Sequence, residues 1–252
     1  MSIFTDVMWF DSLDSTNSYL KDALAGGSAA AQQGAVVAAR EQLNGRGRKS
    51  RVWLSAQGEN LTFSFVLAIP PERRAAVSSL TLTAGVAVCE ALGSFGAAGA
   101  IKWPNDILIN GRKICGILCE TAQTATGLFA VCGIGINVNM DSAKMTCIDK
   151  PATSLFAETG ICYRPEDLLE AVLASLDKWL GLWLAEGFPR VRKRWMALAC
   201  GLGLPIDIVE DGIRRESGFF CGISESGSLL LRLTSGEVKE VFSGDVVWME
   251  AF

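Results

Sequence analysis

Residues 100–139 read AIKWPNDILINGRKICGILCETAQTATGLFAVCGIGINVN, and this stretch decides the fold class. Ala100 to Trp103 and Ile107 to Ile109 are short strands, and Asn110-Gly111 is the dipeptide that a tight hairpin demands. Lys113 to Thr121 and Leu128 to Val138 continue as two longer strands, so short connections run an antiparallel sheet through the middle of the chain. Proline holds the residue before it extended. Trp103-Pro104 therefore ends the first strand and projects Asn105 and Asp106 where two strands meet.

Towards the N-terminus, Val7 to Phe10 is a strand and Ser15-Thr16-Asn17 supplies helix N-cap groups. That helix runs through Leu20, Ala23 and Leu24 and stops at Gly26-Gly27. Gly34 to Arg40 is a small-residue strand, and Glu41 to Val52 is a polar loop rich in Gly and Arg. Leu61, Phe63, Phe65 and Leu67 alternate with Thr62 and Ser64, which predicts a half-buried strand. The alanine-rich run Arg73 to Leu92 predicts a helix.

Towards the C-terminus, Pro165-Glu166-Asp167 opens a helix with proline at N1 and acids facing the helix dipole. Leu169, Val172, Leu173, Leu176, Leu180 and Trp183 form its apolar face, and the Trp179/Trp183 pair reads as core. Beyond Gly201 the turns Asp211-Gly212, Ser226-Gly227 and Ser235-Gly236 punctuate short strands, the pattern of a small β-barrel. The expected architecture is α+β, a mixed β-sheet flanked by helices in residues 1–200 with a small β-barrel in residues 201–252.

Half of the 252 residues are hydrophobic, enough for a sizeable core, and the net charge of −4 argues against bulk nucleic-acid binding. No uninterrupted apolar run reaches ~18–20 residues, and Met1 to Phe10 lacks a basic n-region. These features predict a cytoplasmic protein with neither membrane span nor signal peptide. The eight cysteines, Cys147 among them, show no C-x-x-C spacing, and most sit in apolar runs where cysteine reads as a small buried hydrophobe. With no histidine in the chain, Ser-His-Asp triads and the usual zinc sites are excluded. Any chemistry must use Lys, Arg, Asp, Glu and backbone dipoles.

Gly45-Arg46-Gly47-Arg48-Lys49-Ser50-Arg51 packs four cations into seven residues. Guanidinium forks bind phosphate or carboxylate bidentately and glycine lets backbone N–H groups approach, so the segment reads as an anion cradle. It is expected to be mobile without a ligand, since like charges repel and nothing apolar anchors it. A solvated charge cluster or an RNA-binding patch would use the same residues. There is no Walker motif. In Gly133 to Asn139, Asn137 and Asn139 share a face where carboxamides could read an adenine edge, or simply be satisfied beside a glycine bulge. Asp106 could orient an amine or lean on a metal, Lys102 could pair with it, and Lys113 could neutralise a phosphoryl oxygen.

Together these residues resemble the biotin–protein ligase family. Ser15-Thr16-Asn17 looks like its S-T-N, and Gln42 with Gly45 to Arg48 looks like Q-x-x-G-R-G-R. Trp53 falls where the family has its tryptophan. Lys102 to Asp106 matches K-W-P-N-D, Lys113 to Gly116 matches K-x-x-G, and Gly133 to Asn137 matches G-x-G-x-N. Ala152-Thr153-Ser154-Leu155 also resembles a family segment. The motifs stand in the family's order through nearly the whole chain.

The resemblance implies a catalytic domain like that of class II aminoacyl-tRNA synthetases and biotin ligases, with a Src-homology-like C-terminal barrel. It implies two substrates, biotin and Mg-ATP, no permanent cofactor, and a biotin carboxyl carrier domain as acceptor. Biotin is adenylated, and an acceptor lysine then takes the biotinyl group. Carried onto this chain, the family roles place Ser15, Thr16, Asn17 and Gln42 around the ureido ring. Arg46, Gly47 and Arg48 bind carboxylate and phosphate, Lys113 holds the phosphoryl group, and Asp106 positions the incoming lysine. Trp53 covers adenine with Asn105 and Asn137 nearby, while Gly116, Leu118 and Ile136 line an apolar wall. The Mg²⁺ ligands are not assigned.

Two departures follow. The family continues G-R-G-R-x-G, but Ser50 stands at the last position, where a positive φ would cost roughly 1–2 kcal/mol. The motifs also begin near Ser15, which leaves no room for the winged helix of repressor-type members, so DNA binding is not expected. The rival readings are a lipoate–protein ligase and a non-catalytic sensor of biotin or its adenylate. An exposed sheet edge would serve either a homodimer or the acceptor domain.

Overall fold

Strand β3 (Asn60–Ile69) is an interior strand of the main sheet in the computed structural model, which describes residues 2–141, 145 and 151–249. Leu61, Phe63, Phe65 and Leu67 point into the main core, as their spacing predicts. The opposite face is buried too, with Thr62 and Ser64 at most 1% exposed. The half-buried expectation is thereby corrected. A second layer, helix α1 (Thr16–Ala25), covers the polar face.

Around β3 the seven-stranded sheet runs β1 (Val7–Leu13), β2 (Val36–Gln42), β3, β7 (Gly127–Asn137), β6 (Arg112–Thr124), β5 (Asp106–Ile109) and β4 (Ala100–Lys102). Only β1–β2 is parallel, and every other pairing is antiparallel. The β5–β6 hairpin turns at Asn110 and Gly111, both at positive φ (50° and 75°), as a primed turn requires. One irregularity matters for the site. Ile107 pairs with Cys115 but Leu108 pairs with Lys113, so Ile114 is an extra residue and the bulge re-aims Lys113.

The far face of the sheet packs on α2 (Leu80–Ser94), α4 (Pro165–Glu186) and α5 (Phe188–Leu198); a short helix α3 (Leu155–Thr159) lies between α2 and α4 in the chain. Trp179 and Trp183 are buried in this core. Helix α2 continues a 3₁₀ segment, Pro71–Ser79, and the run 71–94 is long and apolar enough to cross a membrane by composition alone. Since 67% of its most apolar window is buried inside the protein, its apolarity is that of a core helix.

The C-terminal strands β8 (Pro205–Glu210), β9 (Ile213–Ile223), β10 (Leu229–Arg232), β11 (Val238–Val241) and β12 (Asp245–Trp248) form a second antiparallel sheet, in the order β11-β10-β9-β8-β12. This is the small β unit expected, and Ile206, Phe220 and Leu231 join the main core. Cys89, Cys115 and Cys132 are buried free thiols, with Cys89 pushed up to about 12 by burial, but Cys162 and Cys221 are exposed, against the buried expectation; Cys147 lies outside the described residues.

Candidate active site

The N-terminus of α1 and the polar face of β3 build one end of the site. Ser15 caps the helix by accepting from Ser18 N, and the next two side chains are absorbed into a buried network. Thr16 N and Oγ1 donate to Gln42 Oε1 at 2.8 and 3.1 Å, and Thr16 Oγ1 lies 2.6 Å from Ser64 Oγ. Ser64 donates to Asn17 Oδ1, while Asn17 Nδ2 donates to Leu118 O and to Glu120 Oε2. Thr16 and Asn17 therefore shape the site by fixing Gln42 and β6. Their buried polar atoms are already satisfied.

Glu120 ties three elements together. It accepts from Asn17, from Lys21 Nζ at 2.6 Å and from Arg46 Nη2 at 3.2 Å. Burial raises its carboxyl pKa, but the bonds from Lys21 and Asn17 and the charges of Lys21 and Arg46 outweigh it, and the group lies below the ordinary carboxylate value.

The anion loop folds back on itself. Gly47 N donates to Arg51 O at 2.7 Å, Trp53 N donates to Gly45 O at 2.9 Å, and Arg46 bridges Val52. The expectation of a loop without an apolar anchor is corrected here, because the Trp53 indole lies across a platform made by Gly116 and Gly135, paired residues of β6 and β7. A Cβ on Gly135 would sit 2.4 Å from the indole ring. Trp53 Nε1 is buried without a partner. The loop's left-handed residue is Lys49 (φ 54°), so the strain that the sequence attaches to Ser50 belongs one position earlier. Lys49→Gly is expected to stabilise the folded loop by ~1 kcal/mol, read as slower amide hydrogen exchange within the loop; faster exchange would mean that the lysine's charge outweighs its backbone.

Opposite the loop, Lys113 Nζ pairs with Asp106 Oδ1 at 2.6 Å. The backbone of Lys113 is pinned on both sides, since its N donates to Pro151 O and its O accepts from Thr153 N. Asn105 bridges the two halves. Its Nδ2 donates to Ile117 O at 3.0 Å and its Oδ1 accepts from Arg48 Nη1 at 3.2 Å. The Trp103–Pro104 peptide preceding it is cis. Burial lowers the Arg48 pKa, and Arg51 adds to the fall, while Asp245 and Asp106 pull the other way.

These groups enclose one cavity of about 520 Å³. Ser15, Thr16, Asn17, Gln42, Arg46 and Gly47 line it from one side, and Arg48, Trp53, Asn105, Asp106, Lys113, Gly116 and Asn137 from the other. Every site residue expected from the sequence is thus brought together, except in the apolar wall. Leu118 lines the cavity, but Ile136 is fully buried in the main core because β7 alternates and turns 133, 135 and 137 to the site. Asn137 has both ends of its carboxamide occupied, accepting from Asn60 Nδ2 and donating to Thr153 O. Asn139 likewise donates to Gly58 O and Tyr163 O. Sequence reasoning missed Glu120, Ser64 and Asp245, which carry no motif and act only through contacts distant in the chain. Among the described residues no group of three Cys, Asp or Glu side chains is placed to hold a metal ion.

Residues 9–137, which hold most of this cavity, match the model of the "Biotin/lipoate A/B protein ligase family". The chain belongs to that family. The likeness to relatives extends beyond those residues. A biotin–[acetyl-CoA-carboxylase] ligase of Paracoccus denitrificans is 38% identical over 220 residues, covering 82% of this chain and 90% of that protein. The bifunctional ligase/repressor BirA of Bacillus spizizenii is 35% identical over 225 residues, covering 86% of this chain and 66% of that protein. A solved structure, the biotin protein ligase from Aquifex aeolicus in complex with biotin and ATP, superposes with a TM-score of 0.82 at 29% identity. That superposition covers 98% of this chain and 100% of the other.

Proposed function

We propose that this ligase activates biotin with ATP and transfers the biotinyl group to a lysine of a biotin carboxyl carrier domain. The observation that carries the reading is the cavity in which Arg46, Arg48 and Lys113 converge from a loop and a bulged strand upon one space walled by Gln42 and Trp53. In the first step a carboxylate oxygen of biotin attacks the α-phosphorus of Mg-ATP. The new O–P bond forms as the bond to the bridging oxygen breaks, and pyrophosphate leaves with the electron pair. Both groups gain or redistribute negative charge, which pre-placed cations stabilise without reorganising.

Gln42, held by Thr16, presents its amide to the ureido ring, and Ser15 and Asn17 complete that end. Arg46 and Arg48 take the carboxylate and phosphate, with Gly47 letting the backbone approach. Trp53, Asn105 and Asn137 bound the adenine side, the last two by holding their neighbours in place. Mg²⁺ enters as part of the ATP substrate. In the second step a neutral lysine amine attacks the anhydride carbonyl, AMP leaves, and the amine gives up a proton. Once Lys113 turns to the phosphoryl group, the Asp106 carboxylate is released to receive that amine.

The catalytic unit is residues 1–200 and the C-terminal unit 201–252. Neither is proposed to bind nucleic acid, since the chain carries a net charge of −4. Its place of work is the cytoplasm. The outer edge of β1, at the margin of its sheet, is the seam offered to a second copy or to the acceptor.

The test is biotin-dependent ATP–pyrophosphate exchange, with lipoate in parallel and a carrier domain for the second step. Exchange with lipoate alone would sink the assignment, and binding of biotin with neither exchange nor labelling of the carrier would leave a non-catalytic sensor. Arg48→Ala is expected to release biotinyl-AMP about 10–100-fold faster, the value of a hydrogen bond to a charged group. Unchanged retention of the labelled intermediate would remove Arg48 from this role.

A further inference from the structure

The C-terminal sheet sends one charged group into the anion loop, from a segment that carries no motif. Asp245 opens β12 directly after Gly244, whose φ of 128° turns the chain there. Its carboxylate accepts a short hydrogen bond from Arg51 Nη2. It also lies 3.7 Å from Arg48 Nη1 and 3.9 Å from Lys49 Nζ. Three of the loop's four cations therefore face one carboxylate that is only 19% exposed. Burial raises its pKa, but the bond from Arg51 and the charges of Arg51, Lys49 and Arg48 outweigh that and hold the carboxyl below its ordinary value. Asp211, 3.9 Å from Lys49 and 77% exposed, is a weak pair by comparison.

Arg48 and Arg51 repel each other in the folded loop, so a carboxylate between them lowers the cost of ordering it. Without that carboxylate ATP would have to supply more of the cost. We propose that Asp245 is a positioning residue, an internal counter-anion that folds the loop against the cavity before ATP arrives. Through it the C-terminal sheet sets the affinity for ATP without touching ATP. The part about ATP rests on the ligase reading; the part about loop order does not.

Two measurements on the full chain separate these. The first is limited trypsin cleavage of the ligand-free protein, read by mass spectrometry at Arg46, Arg48, Lys49 and Arg51. Asp245→Asn is expected to be cut there about tenfold faster than the unaltered protein, Asp245→Glu less so, and Asp211→Asn no faster. The second is exchange kinetics, in which Asp245→Asn raises KM for ATP about tenfold and KM for biotin less, because Gln42 still holds the ureido end. A merely structural defect would raise both alike. Equal cleavage of the Asn variant and the unaltered protein overturns the proposal, and so does an equal rise in the two KM values. If the unaltered protein shows no biotin-dependent exchange, the ligase reading fails while the cleavage pattern still decides the role of Asp245. Should Asp245→Asn not fold, Arg51→Gln removes the same pair from the loop side and is expected to open the loop likewise; an uncut loop there overturns the proposal equally.

Discussion

Lys113→Ala is expected to lower biotin-dependent ATP–pyrophosphate exchange roughly 10²–10³-fold, the scale on which a pre-placed group facing developing charge acts. The expectation comes from how this side chain is aimed. The bulge at Ile114 places Lys113 and Gly116 on the same face of β6, where strict alternation would have separated them. Its ammonium sits over the Gly116 position, where an added Cβ would lie 3.1 Å from Nζ, and 5.9 Å from the centre of the Trp53 ring. The backbone bonds to Pro151 and Thr153 do not need the side chain, so alanine removes the charge and little else. Asp106 loses its 2.6 Å partner but remains in the field of Arg48. Thermal stability should therefore change little while the chemistry collapses, and exchange within about threefold of the unaltered protein would remove Lys113 from the phosphoryl site.

Gly133→Ala is expected to damage both stability and biotin binding. A Cβ at Gly133 would lie 2.4 Å from Asn17 Oδ1 and 2.9 Å from Asn17 Cγ. Asn17 cannot retreat, because Ser64, Leu118 and Glu120 hold it from three sides. Either the sheet or the helix must shift, at a cost of about 1–3 kcal/mol for overpacking. In a chain of this size each 1 kcal/mol lowers Tm by about 2–4 °C. Because Asn17 and Thr16 share Ser64, and Thr16 fixes Gln42, KM for biotin should rise more than KM for ATP. Gly135→Ala makes the useful contrast, since its Cβ meets the Trp53 ring at the end of a surface loop that can move. It should cost less Tm and act mainly on the adenylate. Equal Tm for Gly133→Ala and the unaltered protein would show that Asn17 is not held as tightly as its bonds imply.

The Gly133-to-Asn139 segment illustrates what could be read in advance. The glycines and asparagines stood out as a pattern, and of the two open readings the satisfied asparagines are found, without the bulge. The asparagines are satisfied internally, yet the glycines serve the cavity, because each clears space for a partner from another element. No bulge interrupts β7, which pairs continuously with β3 and β6. The one bulge that shapes the site lies in β6, in a run of apolar residues with nothing local to announce it.

The strands of residues 100–139, the helix stop at Gly26, the Asn110-Gly111 turn and the candidate ligands of the anion loop were determined by the sequence itself. Periodicity, capping and turn chemistry act between residues a few positions apart and leave their mark in the letters. Tertiary structure alone decided which charges answer the loop's cations. Glu120 lies 74 residues from Arg46 along the chain and Asp245 lies 194 from Arg51, and neither stands in any pattern. Electrostatic pairing depends on distance in space and on burial, so an isolated carboxylate in a strand looks the same whether it faces water or three cations.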